Sequence, residues 1–135
     1  MKAHDLAQAL AGVASGEVTT AEEDAAAFPR LASFGAGAIY VGRFSGQSPW
    51  ERHADADELL HVLEGKVEIT VLAPGGARHV SVAAGSIIVV PRGLWHRQHA
   101  QPSVTLLAVT PDTSEISVAD DPRQWRSRPC RTAPV

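Results

Sequence analysis

The stretch Trp50–Gly65 reads WERHADADELLHVLEG, and it decides the fold. Its first half is polar and carries side chains that can bind metals, and its second half is an apolar run typical of a β-strand. Alternate residues of an extended strand share a face, so Glu51 and His53 are expected to point to the same side. Glu58 follows after a short polar turn, at the head of the apolar strand. The stretch therefore predicts two carboxylates and an imidazole in one place.

A second stretch, Gly85–His96, reads GSIIVVPRGLWH. It is a continuous apolar strand followed by the turn residues Pro91 and Gly93, with a histidine at its end. Together, the two stretches supply two carboxylates and two imidazoles from separate strands. Such a donor set suits a divalent Fe, Mn, Ni, Co, Cu or Zn ion without choosing among them. The absence of thiolates argues against a structural zinc site.

The first stretch resembles the first of the two motifs of the cupin superfamily. That motif reads Gly, a gap, His-x-His, three or four residues, Glu, six residues, Gly. His53, Glu58 and Gly65 fit its second half without a gap, and Gly46 lies one residue late for the leading glycine. The first histidine position falls on Glu51. The chain therefore departs from the pattern at one ligand.

The second stretch resembles the second cupin motif, which reads Gly, five residues, Pro-x-Gly, two residues, His, three residues, Asn. Gly85, Pro91, Gly93 and His96 match it, and Ala100 stands at the asparagine position. The resemblance extends over most of the chain and is to small single-domain bacterial cupins of the conserved-barrel type. It implies an all-β fold, the double-stranded β-helix or jelly-roll barrel.

Turn chemistry along the chain agrees with a β-sandwich or barrel, because short apolar segments alternate with glycine and proline. Gly65-Lys66 is interpreted as the turn of a hairpin, and Pro74-Gly75-Gly76 as the next turn. The predicted strands are Ala38–Phe44, Trp50–His53, Glu58–Glu64, Val67–Leu72, Ala77–Val82, Ser86–Val90, Trp95–His99 and Val104–Val109. We expect an N-terminal helical or extended segment at 1–30, the barrel at 31–112 and a C-terminal tail at 113–135.

The N-terminal segment shows two helical patterns. Leu6, Leu10 and Val13 recur at helical spacing, which predicts a short amphipathic helix over residues 3–15. Thr20, followed by Glu22 and Glu23, could cap a further helical turn. The segment is therefore expected to be a short helical addition to an all-β domain.

The resemblance implies that one divalent metal is bound by Glu51, His53, Glu58 and His96. Glu51 leaves two interpretations open. As a ligand it would replace an imidazole by a carboxylate, lowering the net charge of the site by one unit and favouring a harder metal. Otherwise it would be a catalytic acid or base in the pocket, beside a metal that is weakly held or lost.

Further residues are candidates for the substrate pocket. Gln98 shares strand parity with His96 and could hydrogen-bond a substrate. Trp50 and Trp95 flank the ligands and could form pocket walls or belong to the core. His61 and His99, by contrast, have the opposite parity to Glu58 and His96, respectively, so both are expected to face outward.

One rival motif uses the same histidines. His53-Ala-Asp55 followed by His96 also spells the His-x-Asp…His triad of non-haem iron oxygenases. The arginine that this family uses to hold an oxo-acid, about ten residues past the distal histidine, is missing from Thr105-Leu-Leu. The Glu58-to-Gly65 spacing would also be coincidental, so the cupin register is preferred.

Composition limits the classes of partner. A hydrophobic fraction of 44%, a charged fraction of 20% and a net charge of −3 are typical of a soluble globular domain. Without a basic stripe, nucleic acid is not expected as a partner. No apolar run approaches the roughly 18 residues that span a membrane. Cys130 is the only cysteine, which fits a reducing compartment, and we expect a cytoplasmic protein.

The resemblance implies a metal-dependent enzyme that acts on a small polar metabolite. Oxygenation, isomerisation, dehydration and decarboxylation all occur on this scaffold, and the fold alone does not choose between them. The alternatives are a ligand-binding or regulatory cupin without catalysis and a structural remnant without metal. Small cupins commonly dimerise, so a homodimer is expected.

Overall fold

The structure is a computed structural model that describes residues 1–124. Two short helices, α1 (Leu6–Leu10) and α2 (Ala21–Ala27), precede the sheet. The strands are β1 (Arg30–Phe34), β2 (Gly37–Gln47), β3 (Trp50–Arg52), β4 (Glu58–Ala73), β5 (Gly76–Ala83), β6 (Ile87–Val90), β7 (His96–Pro111) and β8 (Glu115–Ser117). Over this range, none of the helices has the length and apolar character needed to cross a membrane.

The eight strands form one curled sheet in which β4 and β7 are central. β7 pairs with β2, β3 and β4, and β4 also pairs with β5 and β6. These strand pairings are antiparallel. The all-β, barrel-like fold predicted from the sequence is confirmed, and its N-terminal helix is present in a shorter form.

The core lies inside the curl of the sheet and follows the alternation of the strands. On β4, Leu60 and Val62 are completely buried, while the intervening His61 is only half-buried. Fully burying one such aliphatic side chain contributes about 1.5–3 kcal/mol. The most deeply buried apolar side chains are Phe44, Leu60, Ile69, Leu106, Val18, Val41, Val62, Val67, Val90 and Val104.

The hairpin predicted at Gly65-Lys66 is wrong, because β4 runs without interruption through both residues. Gly65 does have a positive φ of 77°, as a turn would require. It lies where the register between β4 and β7 shifts, and a Cβ there would collide with the carbonyl oxygen of Ser103. The glycine is thus needed for a bulge and a close approach, which positive φ allows as readily as a turn.

The separate strands predicted at Trp95–His99 and Val104–Val109 are also wrong, because both belong to β7. Strands β1 and β8 were not predicted, and β8 pairs with β3 although it follows the predicted barrel. The turn predicted at Pro74-Gly75-Gly76 is confirmed at Pro74-Gly75, and Gly76 already belongs to β5, which pairs directly with β4.

The N-terminal segment forms less helix at α1 than predicted and a well-capped helix at α2. Of the residues in α1, only Leu10 is buried, so little packing supports the rest of the predicted 3–15 helix. In α2, the Thr20 side chain and the N3 residue Glu23 form the reciprocal bonds of a capping box. A Cβ at Gly42 would collide with the Phe28 ring, so glycine allows the end of α2 to lie directly on β2.

Candidate metal centre

Four side chains from three strands meet at one end of the barrel. Glu51 lies on β3, His53 just after it, Glu58 at the start of β4 and His96 at the start of β7. One ligand atom from each lies within 4.8 Å of the others. The direct pairing of Glu51 with His96 across β3 and β7 sets two of them side by side. The structure therefore brings together all four predicted ligands, which we call the four-residue cluster.

The cluster is buried more deeply than charged groups usually are. His96 is 1% exposed, Glu58 3% and His53 4%, and Glu51 is largely buried. Removing ionisable groups from water is costly unless other charges or hydrogen bonds compensate. Such a concentration of buried donors is difficult to explain by folding alone.

Both imidazoles are oriented by the protein backbone. His53 Nδ1 lies 3.4 Å from the carbonyl oxygen of Thr113, and His96 Nδ1 lies 3.1 Å from that of Leu94. A proton on each Nδ1 would be donated to these carbonyls, which leaves each Nε2 with its lone pair directed into the cluster. This is the arrangement in which a histidine binds a metal through Nε2.

The Nε2 atoms face Glu58 at different distances. His53 Nε2 lies 2.6 Å from Glu58 Oε2, whereas His96 Nε2 lies 3.7 Å from Glu58 Oε1, beyond hydrogen-bond distance. Among residues 1–124, His96 Nε2 is buried without any hydrogen-bond partner. A buried polar atom in that position requires a partner that the protein groups do not supply.

Thr110 on β7 supports the cluster from outside the four residues. Its hydroxyl donates to Glu58 Oε2 at 2.9 Å and lies 3.2 Å from His53 Nε2. It therefore fixes the position of the carboxylate between the two imidazoles. Outer contacts of this kind orient metal ligands and tune their affinity.

The pKa values of the two carboxyl groups in the cluster are shifted in opposite directions. Burial raises the pKa of Glu51 to about 7, with contributions from the negative charges of Glu58 and Asp24. Burial would also raise the pKa of Glu58, but the two imidazoles outweigh it and lower the pKa overall. Burial lowers the pKa of His53 and His96, yet the adjacent Glu58 carboxylate raises both above the ordinary value. Glu58 is thus the negatively charged group that both imidazoles of the cluster face.

These donors fit a divalent metal ion. Two imidazole nitrogens and two carboxylate groups form a mixed N/O set, which suits Fe, Mn, Co, Ni, Cu or Zn. The unpartnered Nε2 of His96 and the Nε2 of His53, which faces Glu58 Oε2 at 2.6 Å, are the nitrogen atoms that an ion would contact. No thiolate takes part.

A cavity of about 220 Å³ opens beside the cluster. Its walls include Glu51, His53 and Glu58, and also Gln98, whose Oε1 is buried without a hydrogen-bond partner in the described part of the chain. The other lining residues are Asp24, Ala25, Phe28, Tyr40, Leu60, Leu106, Ala108, Thr110, Pro111, Asp112 and Ser114. The space is therefore polar at the cluster and apolar along much of its wall.

Asp24, from α2, lines this cavity and was missed in the sequence. Burial raises its pKa to about 6, with a further contribution from Glu58. No spacing around Asp24 indicates a site, because the location of α2 is set by its packing on β2 at Gly42. The capping signal at Thr20 predicted the helix but not the surface that it covers.

The other candidates lie outside the cavity. Trp50 and Trp95 are buried together with Leu72 in a separate cluster and do not line it. His99 is exposed and His61 half-buried, as parity predicted for outward-facing residues. Asp55 is exposed and is not part of the cluster, so the rival His-x-Asp arrangement is not assembled.

A protein-family comparison matches residues 44–110 to the cupin domain. No curated protein sequence is significantly similar to this chain. Together with the fold, the match shows that the chain belongs to the cupin superfamily, as a small cupin domain.

Solved structures share this fold. A protein from Neisseria meningitidis superposes with a TM-score of 0.63 at 19% identity, covering 82% of this chain and 100% of that one. A hydroquinone 1,2-dioxygenase in complex with Cd²⁺ and 4-hydroxybenzonitrile gives 0.60 at 20% identity, covering 81% and 72%. A cupin-2 domain protein from Shewanella frigidimarina gives 0.55 at 24% identity, covering 62% and 78%. At these identities the likeness extends to the fold alone.

Proposed function

We propose that Glu51, His53, Glu58 and His96 bind one divalent metal ion and that the protein is a metal-dependent enzyme. Its substrate would be a small polar metabolite, and its reaction of the oxygenase, isomerase, dehydratase or decarboxylase type. The observation that carries the proposal is the convergence of Glu51, His53 and Glu58 beside the buried, unpartnered Nε2 of His96. The metal complex of the dioxygenase with the same fold agrees with it.

The side chains of the cluster would have different roles according to their positions. The bound ion supplies Lewis acidity or oxygen activation. His53, His96 and Glu58, held by backbone carbonyls and by the Thr110 hydroxyl, would form the rigid part of the site. Glu51 lines the cavity, and its Oε2 lies 3.8 Å from His53 Nε2. It would complete the ligand set or act as a general base toward the substrate.

The alternative is a ligand-binding or regulatory cupin without catalysis. The cavity supports this interpretation as well, because a wall of apolar and polar residues can retain a metabolite without converting it. Metal-dependent turnover distinguishes the two. Product formation that stops after chelation and returns with metal supports the enzyme, whereas binding without product supports the alternative.

Metal content tests the proposal directly. We would purify the protein without a metal-binding affinity tag and measure metal by plasma mass spectrometry in the wild type, His96→Ala and Glu51→Ala. His99→Ala is the matched control, since His99 is exposed on the same strand. We expect about one ion per chain in the wild type and control, and loss of the ion in His96→Ala.

The Glu51 variant distinguishes its two roles. Loss of metal in Glu51→Ala supports the carboxylate as a ligand, and retention supports a general base beside a three-residue site. If the wild type contains no metal after reconstitution with any first-row divalent ion, the metal-dependent proposal is rejected.

We also propose that the protein is a cytoplasmic homodimer. Ile87 and Val89 are 60% and 50% exposed on β6, which pairs only with β4 among the described strands. Apolar side chains on an open strand edge favour a partner. The single cysteine, Cys130, agrees with a reducing compartment but lies outside the described residues. Light scattering tests the dimer, and a monomer at micromolar concentration would reject it.

A further inference from the structure

The cavity beside the four-residue cluster is unusual in its balance of charge. Its lining contains the carboxylates of Asp24, Glu51, Glu58 and Asp112, whereas no lysine or arginine from residues 1–124 lines it. Asp112 is already paired, because the Arg30 guanidinium donates to it at 3.0 and 3.1 Å. The remaining carboxylates have no cationic side chain of this kind in the cavity wall.

The charge of the cluster follows from its ligands. Two carboxylates neutralise a divalent ion, so Glu51 in place of an imidazole removes the positive charge that such a site would otherwise have. Asp24 then adds a negative charge at the cavity wall. With a divalent ion bound by both carboxylates, the site has little electrostatic attraction for an anion.

Two polar groups of the lining offer hydrogen-bond acceptors without a partner. Gln98 is 9% exposed, and its Oε1 has no partner within residues 1–124. The Asp24 carboxylate accepts no hydrogen bond in the same part of the chain. Tyr40 already donates its hydroxyl proton to Asp112, and Thr110 donates to Glu58. A ligand that satisfies Gln98 Oε1 and the Asp24 carboxylate must therefore bring donors of its own.

From this balance we infer that the cavity binds a neutral or cationic molecule that donates hydrogen bonds, an alcohol, phenol or amine, and that Asp24 and Gln98 receive those bonds. The inference rests on the proposed function in that it assigns the substrate class of the same site. Apolar residues of the wall, among them Phe28, Leu60 and Leu106, would contact the hydrocarbon part. Simple carboxylates and phosphates are disfavoured.

Asp24 is held in place by packing as well as by its helix. The capping box at Thr20 begins α2, and the contact between Phe28 and Gly42 secures its end against β2. A carboxylate on such a supported helix can contribute to selectivity, since little ordering is needed when the ligand arrives. The N-terminal segment would thus complete a site whose metal ligands all come from the barrel.

Three probes of matched shape and different charge test the inference: benzylamine, benzyl alcohol and benzoate. We would measure their binding by calorimetry to metal-loaded protein, to chelator-treated protein and to Asp24→Asn. Glu22→Gln is the matched control, because Glu22 is an exposed acid on the same helix. Asp24→Asn keeps the size of the side chain, removes its charge and replaces one acceptor oxygen by an amide donor.

We expect benzylamine and benzyl alcohol to bind at least about tenfold more tightly than benzoate. In Asp24→Asn, benzylamine should bind about three- to tenfold more weakly. The expected loss is modest because solvent screens the charge of the half-buried Asp24 carboxylate. Benzyl alcohol should change less, and Glu22→Gln should match the wild type. If Asp24 had a purely structural role, Asp24→Asn would weaken the binding of all three probes by the same factor.

Benzoate binding as tightly as benzylamine would overturn the inference, as would unchanged selectivity in Asp24→Asn or no binding of any probe at millimolar concentration. Metal content measured in the same samples separates the two proposals. Selectivity for donors in a protein that holds no metal supports this inference and rejects the metal-dependent function. A metal-loaded protein that prefers benzoate supports the metal-dependent function and rejects this inference.

Discussion

The two faces of strands β3 and β7 differ in what adjacent residues do. Glu51 and His96 point into the four-residue cluster, whereas their neighbours Trp50 and Trp95 point away and pack with Leu72. On the cluster face the acids and imidazoles contact one another, with His53 Nε2 2.6 Å from Glu58 Oε2. On the other face, the Arg97 guanidinium lies 4.4 Å from the ring centre of Trp50, and that of Arg52 lies 5.1 Å from that of Trp95.

This difference shows that binding and stability can be assigned to different residues of the same short strands. The pleat sends alternate side chains to opposite faces, so one register, Glu51 opposite His96, places both sets. The outer face is stabilised by packing and by cation–π contacts. The inner face brings together the ionisable side chains of the four-residue cluster. Substitutions on the two faces should therefore have different consequences.

The largest effect is expected on the outer face. Trp95→Ala removes a side chain that is 8% exposed, and it should lower the free energy of unfolding by about 3 kcal/mol. Urea denaturation measures the loss. Metal content per folded chain should remain that of the wild type, because the indole does not line the cavity.

Trp95→Phe is the control for this prediction, since it keeps much of the apolar surface and should lose less stability. If Trp95→Ala removed the metal while leaving stability unchanged, the separation of the two faces would be wrong.

The next effect is expected on the inner face. Glu58→Gln keeps the shape of the side chain and removes the charge that both imidazoles face, so affinity for a divalent ion should fall about 100-fold. That factor corresponds to about 2.7 kcal/mol. Titration against a competing chelator measures it. The imidazoles can remain neutral, so the fold should persist.

Glu64→Gln is the matched control, because Glu64 is exposed on the same strand. It should leave metal affinity unchanged. Wild-type affinity in Glu58→Gln would show that the buried carboxylate is not a ligand and would contradict the proposed site.

Much of the cluster could be predicted because the chain resembles the two cupin motifs. The spacing from His53 to Glu58 and from Gly85 to His96 fits those motifs, and strand alternation then predicts that Gln98 faces the cavity and His99 solvent. The same alternation sends the side chains of Trp50 and Glu51 to opposite faces of β3. An indole next in sequence to a candidate ligand therefore faces away from the site.

What could not be predicted depends on contacts between distant parts of the chain. Positive φ at Gly65 is compatible with a hairpin or a bulge, and only the approach of β7 at Ser103 decides between them. Asp24 has no local signal, because its place over the cavity depends on Gly42 accepting the Phe28 ring. The pairing of β8 with β3 likewise depends on tertiary structure. The sequence motifs therefore predicted which four side chains would cluster, while the location of Asp24 beside the cavity depended on the fold.

The smallest effect concerns a residue that supports the inner face without being a predicted ligand. Thr110→Val keeps the branched shape and removes the hydroxyl that donates to Glu58 at 2.9 Å, so metal affinity should fall about tenfold. The chelator titration used for Glu58→Gln measures it.

Thr70→Val is a closely matched control for this change, because Thr70 Oγ1 lies 3.0 Å from His79 Nδ1 on the hairpin of β4 and β5. It removes the same kind of threonine–histidine contact away from the cluster and should leave metal affinity unchanged. If both variants weakened binding equally, the effect would come from the sheet as a whole. A loss confined to Thr110→Val would instead show that the inner face gains affinity from contacts that orient its carboxylate, in contrast to the outer face, where packing of the indoles provides stability.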